Sequence, residues 1–559
     1  MCALVNMKPH LRNAILCKDP CRELQEEKMT MNLGEVTRTA CDSGLAVPKP
    51  KSIPSAVWEQ LTRDLNIFQL RSIKKILLGS NLRENIMLLQ GPPGTGKTST
   101  VVGMVTALLN GEIRRPGQKK ISGTKIKIPT DPDPFAMKDS ATDSSKPFRI
   151  LVCAPSNTAV NELAYRIFTQ GLGPDGKLGS IKVIRVGRCP DEQDSDVIAP
   201  ASLPISSELK KLDVLRSINL EVIVETEVQR PRRFTGENAK RKTYSALRRS
   251  VVSNAHVVVC TLSGAGSRIL LDAVAEFGDS STVFDALIID EACQASEPST
   301  LIPFKFNPDV VVMVGDPQQL PVTTLSKHSV GLQRSLFERL KHCGWPMNSL
   351  RYQYRMHPEI MQFPSENFYD NKLLSGKFKD QRHQRQLEIR KDSSLFRPYM
   401  VWHCPGRMKC SSGSSYSNEG EVKFIQKYLK DFNAHYASSK NIVEIGIITF
   451  YRGQVPVLEK AVRESKLGCN LSVRVATVDE FQGSEKDVII ISCVRSYAEN
   501  KHSVGFLGDT RRINVALTRA RYILAVVGNF NFLERNSTWK GIRHDAIVRG
   551  MYRTAECLT

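Results

Sequence analysis

The sequence predicts an α/β protein of two tandem domains, each built on a parallel sheet covered by helices on both faces. Three observations carry that prediction. Short apolar, β-branched runs recur along the chain, and each ends in a polar residue with useful chemistry. Buried parallel strands read this way, with ligand groups gathered at their carboxyl ends. Stretches of helical periodicity separate the runs. At 559 residues the chain also exceeds one core, because cores stop growing at roughly 250–300 residues.

Residues 1–60 are mixed and show no clear pattern. LNIFQLRSIKKIL (65–77) has apolar residues at helical spacing. NIMLLQ (85–90) reads as a buried strand and TSTVVGMVTALLN (98–110) as the helix after it. Residues 111–148 hold RRPGQKK, PTDPDP and SATDSSK, a composition that predicts a surface insertion. RILVCAPS (149–156) is a strand and NTAVNELAYRIF a helix. In 206–250, SSELKKLDVLRSINLEVIVE precedes the basic PRRFTGENAKRK, which predicts two helices joined by a basic turn. HVVVCT (256–261), FDALIIDEA (284–292) and DVVVMVGD (309–316) complete a first domain over 61–349. The second domain, 350–559, repeats the grammar with EIGIITFY (444–451), VRVATVDEF (473–481), KDVIIISCV (486–494) and ARYILAVVGN (520–529).

The hydrophobic share of 41% is ordinary for a globular chain. The 14 cysteines show no paired CxxC and no Cys/His cluster, so reduced thiols are expected, not a zinc site. No apolar run reaches membrane-span length, and MCALVNMKPHLRN lacks the apolar core of a signal peptide. An intracellular protein with no membrane partner is expected. The net charge of +21 fits a solvated basic surface or, more sharply, a polyanionic partner that releases counterions on binding.

GPPGTGKT (91–98) sits between a strand and a helix, the context that makes G-x-x-x-x-G-K-[ST] a phosphate-binding loop. Gly91, Pro92, Pro93, Gly94, Thr95 and Gly96 would wrap phosphates with backbone N–H groups at a helix N-terminus. Lys97 would reach the outer phosphates, and the Thr98 hydroxyl would meet Mg²⁺. In DEACQ (290–294), Asp290 would hold that Mg²⁺ and Glu291 would orient and deprotonate water. In GDPQQLP (315–321), Gln319 could sense the γ-phosphate. Gln69 on the first helix could read the donor/acceptor pair of an adenine edge, which favours ATP. The second half adds cations: Arg355 in QYRMHP (353–358) and Arg519 in INVALTRAR (513–521). Guanidinium suits the charge spread over a transferring phosphoryl group. Supplied from the second domain, such arginines would let ATP close the cleft and hydrolysis open it.

Ten blocks in order resemble the superfamily 1 helicases of the senataxin and up-frameshift branch. They are LNIFQLRSI, GPPGTGKTST, VCAPSNTAVNEL, VVCTLSGAGS, IIDEACQASEPSTLIP, VGDPQQLP, LRYQYRMHPEI, IGIITFYRGQV, ATVDEFQGSEKDVIIIS and GFLGDTRRINVALTRARY. The resemblance implies two RecA-like domains. It implies that Tyr354 stacks on adenine and that Gly483 and Glu485 approach the phosphates and ribose. It places Pro155, Ser156, Asn157, Thr261 and Thr477 in blocks that touch the backbone of single-stranded RNA or DNA, contacts that carry no base information. Movement from 5′ to 3′ and a nuclear location, with the cytoplasm as second compartment, are implied by resemblance alone.

Within the branch, the missing Cys/His-rich module favours the senataxin side. So does the helical insertion, read as a prong over about 200–252, and so does LFRPYMVWHCPGRM (395–408) ahead of YSNEGEVKFI. There Asn418 and Glu421 fit an N-cap pattern. One departure stands out. The family places a small β-barrel before the glutamine segment, and no segment here matches it. CALVNMKPHLRNAIL (2–16) resembles the stretch that follows the barrel, so a truncated product or shortened paralogue is expected, with 1–60 its remnant. The leading functional expectation is an ATP-dependent helicase or translocase. The alternatives are an ATP-gated nucleic-acid clamp that remodels complexes without unwinding, and a phosphate-loop ATPase with no nucleic-acid role.

Overall fold

The computed structural model describes residues 47–78, 86–111, 148–188, 206–229, 237–275, 283–324, 330–376, 395–410, 415–436, 442–497 and 504–555, with Met7, Leu11, Arg12 and Ile15. Seven strands form the first sheet: β1 (Ile86–Gln90), β2 (Ile150–Ala154), β3 (Val183–Val186), β4 (Val257–Thr261), β5 (Ala286–Ile289), β6 (Val310–Gly315) and β7 (Met347–Ser349). Their spatial order is β3-β4-β2-β5-β6-β1-β7. Every neighbouring pair is parallel.

After the short pair β8 (Tyr352–Gln353) and β9 (Leu374–Ser375) comes β10 (Tyr399–His403), then the hairpin β11 (Met408–Cys410) and β12 (Tyr416–Asn418). The second sheet adds β13 (Val443–Thr449), β14 (Leu471–Thr477), β15 (Lys486–Ser492), β16 (Ala520–Gly528) and β17 (Tyr552–Thr554). Its order is β14-β13-β15-β16-β10-β17, again parallel throughout. The predicted α/β class with two parallel sheets is what forms.

Strand periodicity explains the layering. Ile150, Val152 and Ala154 of β2 enter one core cluster, while Leu151 and Cys153 enter the cluster on the opposite face. Ile489 and Ile491 of β15 likewise part from Val488 and Ile490. Both faces are buried, so the strands must be apolar on alternate and intervening positions alike. The order of the first sheet sets β5, β6 and β1 side by side. Three chemically loaded loops therefore leave neighbouring strand ends.

Several elements differ from expectation. The insertion holds three helices, not two: α1 (Ser206–Ser217), α2 (Leu220–Gln229) and α3 (Glu237–Ser253). The Lys-Arg-Lys run of the expected basic turn begins α3 instead. Lys, Arg and Ala are themselves good helix formers, and Leu247 and Val252 give the helix a buried side. Residues 112–147 of the predicted surface insertion lie outside the described residues. Strands β3, β7, β10 and β17 were not predicted. β3 is four residues with Arg185 inside it, a buried guanidinium that donates to Asn161 Oδ1 at 2.7 Å. β10 is the YMVWH of the segment read as part of the prong resemblance; it lies inside the second sheet between β16 and β17. Residues of 1–60 join the first domain: Ile53, Val57 and Trp58 enter one cluster and Met7, Leu11 and Ile15 the other.

Asn418 does cap the following helix, accepting the Gly420 and Glu421 N–H groups at 3.1 and 3.2 Å. Buried Glu421 also accepts the Ser492 hydroxyl and the Val494 N–H at 2.6 and 2.9 Å, which ties that helix to the end of β15. Among the described residues no helix is long and apolar enough to cross a membrane, and no group of three or more His, Cys, Asp or Glu side chains could hold a metal.

Trp539 anchors the second core. It is fully buried, donates to the Leu507 carbonyl at 2.8 Å and meets Phe450 and Phe530 edge-on. Trp539→Ala is expected to cost about 3–5 kcal/mol, the scale for deleting a buried aromatic. Urea denaturation followed by far-ultraviolet circular dichroism reads that loss.

Candidate active site

The phosphate loop leaves β1, and its shape comes from backbone that only glycine adopts cheaply. Gly94 and Gly96 have φ of 71° and 77°. A Cβ on Gly96 would lie 2.7 Å from the Gln69 amide nitrogen. Gly96 caps the N-terminus of the helix Lys97–Asn110, so free N–H groups and the positive helix end face the loop's hollow. Thr95 closes the turn through its hydroxyl on the Pro92 carbonyl at 2.7 Å. Gln69 is buried, and its Nε2 donates to the Thr95 and Gly96 carbonyls, both at 3.2 Å. Its Oε1 accepts the Asn66 N–H at 2.8 Å. The amide thus braces the loop from behind.

Lys97 Nζ donates to the Gly91 carbonyl at 3.1 Å and lies 3.7 Å from Glu291 Oε1. Glu291 sits past the end of β5 in a left-handed conformation, φ 49°. That is rare for a residue with a side chain and costs on the order of 1–3 kcal/mol. Its Oε2 accepts from Gln294 Nε2 at 2.7 Å. Beside it, Asp290 is nearly sealed from solvent. Burial, then the Glu291 charge, push Asp290 up to about 7, against the pull of Lys97. A dry carboxylate suits a hard divalent ion, and Thr98, half-buried at the start of the helix that follows the phosphate loop, is the hydroxyl donor expected to join it.

The second domain closes the cleft. The Tyr354 N–H donates to the Gly94 carbonyl at 2.9 Å. Gly94 must lack a Cβ, which would stand 2.6 Å from Arg355 Cβ. Arg355 pairs with Glu485 Oε2 at 2.5 Å and donates to the Thr518 carbonyl at 3.1 Å. Arg521 meets the other Glu485 oxygen at 3.0 Å. Burial raises Glu485, but Arg355 and Arg521 outweigh it and hold the carboxyl at about 2. Arg519 is 2% exposed and reaches Gln319 Oε1 at 3.3 Å. Burial, with Arg355 nearby, lowers it to about 9, where guanidinium is still charged at neutral pH.

The structure therefore brings Lys97, Asp290, Glu291, Gln319, Arg355 and Arg519 to one cleft with the phosphate loop and Glu485. Tyr354 is 37% exposed, its ring lying against Gly376. Gly483 has φ 79° with open space where a Cβ would stand, so conformation alone demands glycine there. Pro155, Ser156 and Asn157 follow β2, and Thr261 ends β4. Ala154 and Thr261 are register partners, which sets these two blocks side by side. Thr477 ends β14 in the other sheet, paired with Thr449. Ser156 accepts the Ala159 N–H at 3.2 Å, while Asn157 is exposed. Asp316, Gln294, Arg521 and Asn66 were not singled out from the sequence. All four lay inside recognised blocks, and that was the available signal.

Two family models, each described as an AAA domain, match residues 64–240 with 223–327, and residues 332–531. Helicase sen1 of Schizosaccharomyces pombe is 32% identical over 524 residues, covering 83% of this chain and 29% of that protein. The ATP-dependent helicase upf1 of the same organism is 33% identical over 505 residues, covering 87% and 48%. This chain belongs to the Sen1/Upf1 family of superfamily 1 helicases. The probable helicase senataxin of Homo sapiens is 30% identical over 526 residues, covering 83% of this chain and 18% of senataxin. The chain thus spans less than half the length of these three relatives. Among solved structures, an arterivirus nonstructural protein 10 helicase covers 83% of this chain and 63% of its own at 13% identity, with a TM-score of 0.34. So loose a superposition carries no argument, and the fold rests on the strand orders.

Glu485 supplies a pH test. Its folded value of about 2 lies below the unfolded value of about 4.3. Its ion pairs stabilise the fold above that unfolded value and lose the contribution as pH falls toward 2. Glu485→Gln is expected to be less stable than wild type at neutral pH by about 1–3 kcal/mol, the scale of a charged hydrogen bond. In urea melts at decreasing pH, the gap should narrow below about 4. A gap that persists unchanged to acid pH would assign the loss to packing instead.

Proposed function

We propose that this chain hydrolyses ATP between its two domains and uses the opening and closing of that cleft to move on single-stranded RNA or DNA. One observation carries the reading. Arg355 and Arg519, from the second domain, stand against the phosphate loop and Gln319 of the first. Charge arriving in the cleft is then shared by both domains, so phosphate chemistry and domain position are coupled.

The residues divide the work. Lys97, held on the Gly91 carbonyl and near Glu291, exchanges those partners for the outer phosphates. Glu291, braced by Gln294, orients a water and takes its proton as the water oxygen bonds to the γ-phosphorus. The bond to the β-phosphate bridging oxygen breaks with its electron pair going to ADP. Arg355, Arg519 and Lys97 offset the charge spread over the transferring group. Asp290 and Thr98 would hold Mg²⁺, which supplies charge neutralisation on the phosphate oxygens. Tyr354 stacks on the base, and Gln69 selects it by exchanging its bonds to the Thr95 and Gly96 carbonyls and the Asn66 N–H for the adenine edge. Gly483 and Glu485 line the far side, with Glu485 keeping Arg355 extended.

Pro155, Ser156, Asn157, Thr261 and Thr477 form the strand-facing set, and their small hydroxyl and amide groups suit backbone phosphates. The net charge of +21 supports a polyanion. The family supports 5′ to 3′ movement, action in the nucleus and secondarily in the cytoplasm. An ATP-gated clamp needs no hydrolytic base, and the support that Gln294 gives Glu291 favours the motor.

Steady-state ATP hydrolysis, alone and with poly-uridine RNA or single-stranded DNA, tests the reading, with Lys97→Ala as the blank. Strong stimulation by either polymer is expected. Robust turnover indifferent to both would mean another client. Glu291→Gln is expected to keep nucleotide and polymer binding while turnover falls about 10²–10⁴-fold, the range for losing a general base. Polymer affinity should fall steeply as salt rises, with a log–log slope of about −0.7 per phosphate contacted. Salt-insensitive binding would overturn the phosphate-contact account.

A further inference from the structure

One buried carboxylate of the first domain takes a hydrogen bond from the second. Asp316, past the end of β6, is 2% exposed, and four donors reach it. Its Oδ1 accepts the Gln90 amide at 3.2 Å and the Gln318 N–H at 3.1 Å. Its Oδ2 accepts the Gln319 amide and the Tyr369 hydroxyl, both at 2.8 Å. Four donors fill the lone-pair sites of a carboxylate. Three come from strand ends of the first domain: Gln90 closes the phosphate-loop strand, and Gln318 and Gln319 follow β6. The fourth, Tyr369, comes from the second domain, just past the helix Pro358–Phe368.

Tyr369 is held from its own side. Its oxygen accepts Asn514 Nδ2 at 2.7 Å, and the same Nδ2 donates to the Gln318 carbonyl at 2.8 Å. Asn514 belongs to the helix Thr510–Leu517, two residues short of Arg519. Buried beside Asp316, the phenol is pushed well above its usual range and stays a donor. Gln319 is left one posture: its nitrogen on Asp316 and its oxygen toward Arg519 at 3.3 Å. Removing the Tyr369 hydroxyl would leave Oδ2 with Gln319 as its one donor among these, in a place closed to water, and free that amide to turn.

We propose that Tyr369 and Asn514 form an interdomain latch that positions Gln319 against Arg519, so that turnover depends on the two domains being docked. The latch rests on the ATP-hydrolysis reading above. Tyr369 touches no reacting atom and is a positioning residue. It also ties the root of the phosphate loop, through Gln90, to the helix that precedes Arg519 by an unbroken run of hydrogen bonds.

The test is a double-mutant cycle in the full chain: wild type, Tyr369→Phe, Gln319→Ala and the pair, each assayed for Mg-ATP hydrolysis with and without poly-uridine RNA. Tyr369→Phe is expected to lower kcat about tenfold while KM for ATP stays within about twofold, the pattern of a contact that matters in the transition state. The same substitution made on Gln319→Ala should cost little more, since the latch then has nothing to position. Losses that multiply in the double variant, or a Tyr369→Phe kcat within about twofold of wild type, would overturn the latch. If Tyr369→Phe lowers the melting temperature markedly, Asn514→Ala takes its place in the cycle, with the same expected and opposing results. Wild-type turnover indifferent to the polymer would overturn the strand-motor reading instead, while the four basal rates still decide the latch.

Discussion

Two backbones touch across the cleft with no side chain between them: the Tyr354 N–H rests on the Gly94 carbonyl, 2.9 Å away. The rest of the site depends on that contact. It exists because position 94 has no Cβ to strike Arg355 and because glycine tolerates the left-handed turn. A main-chain hydrogen bond cannot swing as a long side chain can, so it fixes the second domain against the phosphate loop to within a narrow range. Arg355 then has little choice of position, and Glu485 takes up what freedom is left.

Around this contact the cleft concentrates positive charge in a dry place. Lys97, Arg355, Arg519 and Arg521 answer to Glu291, Glu485 and the backbone carbonyls Gly91 and Thr518. Burial first, and repulsion from Arg355 second, lower the proton affinity of Arg519, so the arrangement carries some self-repulsion. A polyphosphate relieves it directly. The electrostatics therefore favour a closed cleft when the anion is present and weaken it when the anion leaves, with no further device required.

Much of this was legible in the sequence, and the reason is physical. Chemistry at strand ends demands particular residue types in short windows, so Lys97, Asp290, Glu291, Gln319, Arg355 and Arg519 announce themselves. Long buried strands such as β6 and β16 also announce themselves, because both faces must be apolar. Short strands with a mixed face do not: β7 is Met-Asn-Ser, and β3 carries a buried arginine held by Asn161 and by the Arg188 carbonyl. The basic run at 240–242 looked like a turn because charge density is a poor guide to local conformation. Tyr369, outside every recognised block, and Asn514, inside one but without an assigned role, were missed for a different reason. Their meaning lies wholly in what a tertiary interface places beside them, and an isolated Tyr or Asn carries no local signal.

The strand order of the first sheet also bears on how such a chain comes to exist. β1, which carries the phosphate loop, pairs with β6 and β7. Those partners are encoded about 220 residues or more after β1, beyond both insertions. At about 5–20 residues per second, a ribosome needs on the order of ten to forty seconds to deliver β6. Throughout that interval Ile86–Gln90 has the helices beside it in sequence to pack on but no strand to zip onto. The strand that carries the phosphate loop is thus among the first made and waits longest for its strand partners, and its synthesis is a period of dependence on whatever in the cell shields exposed hydrophobic chain.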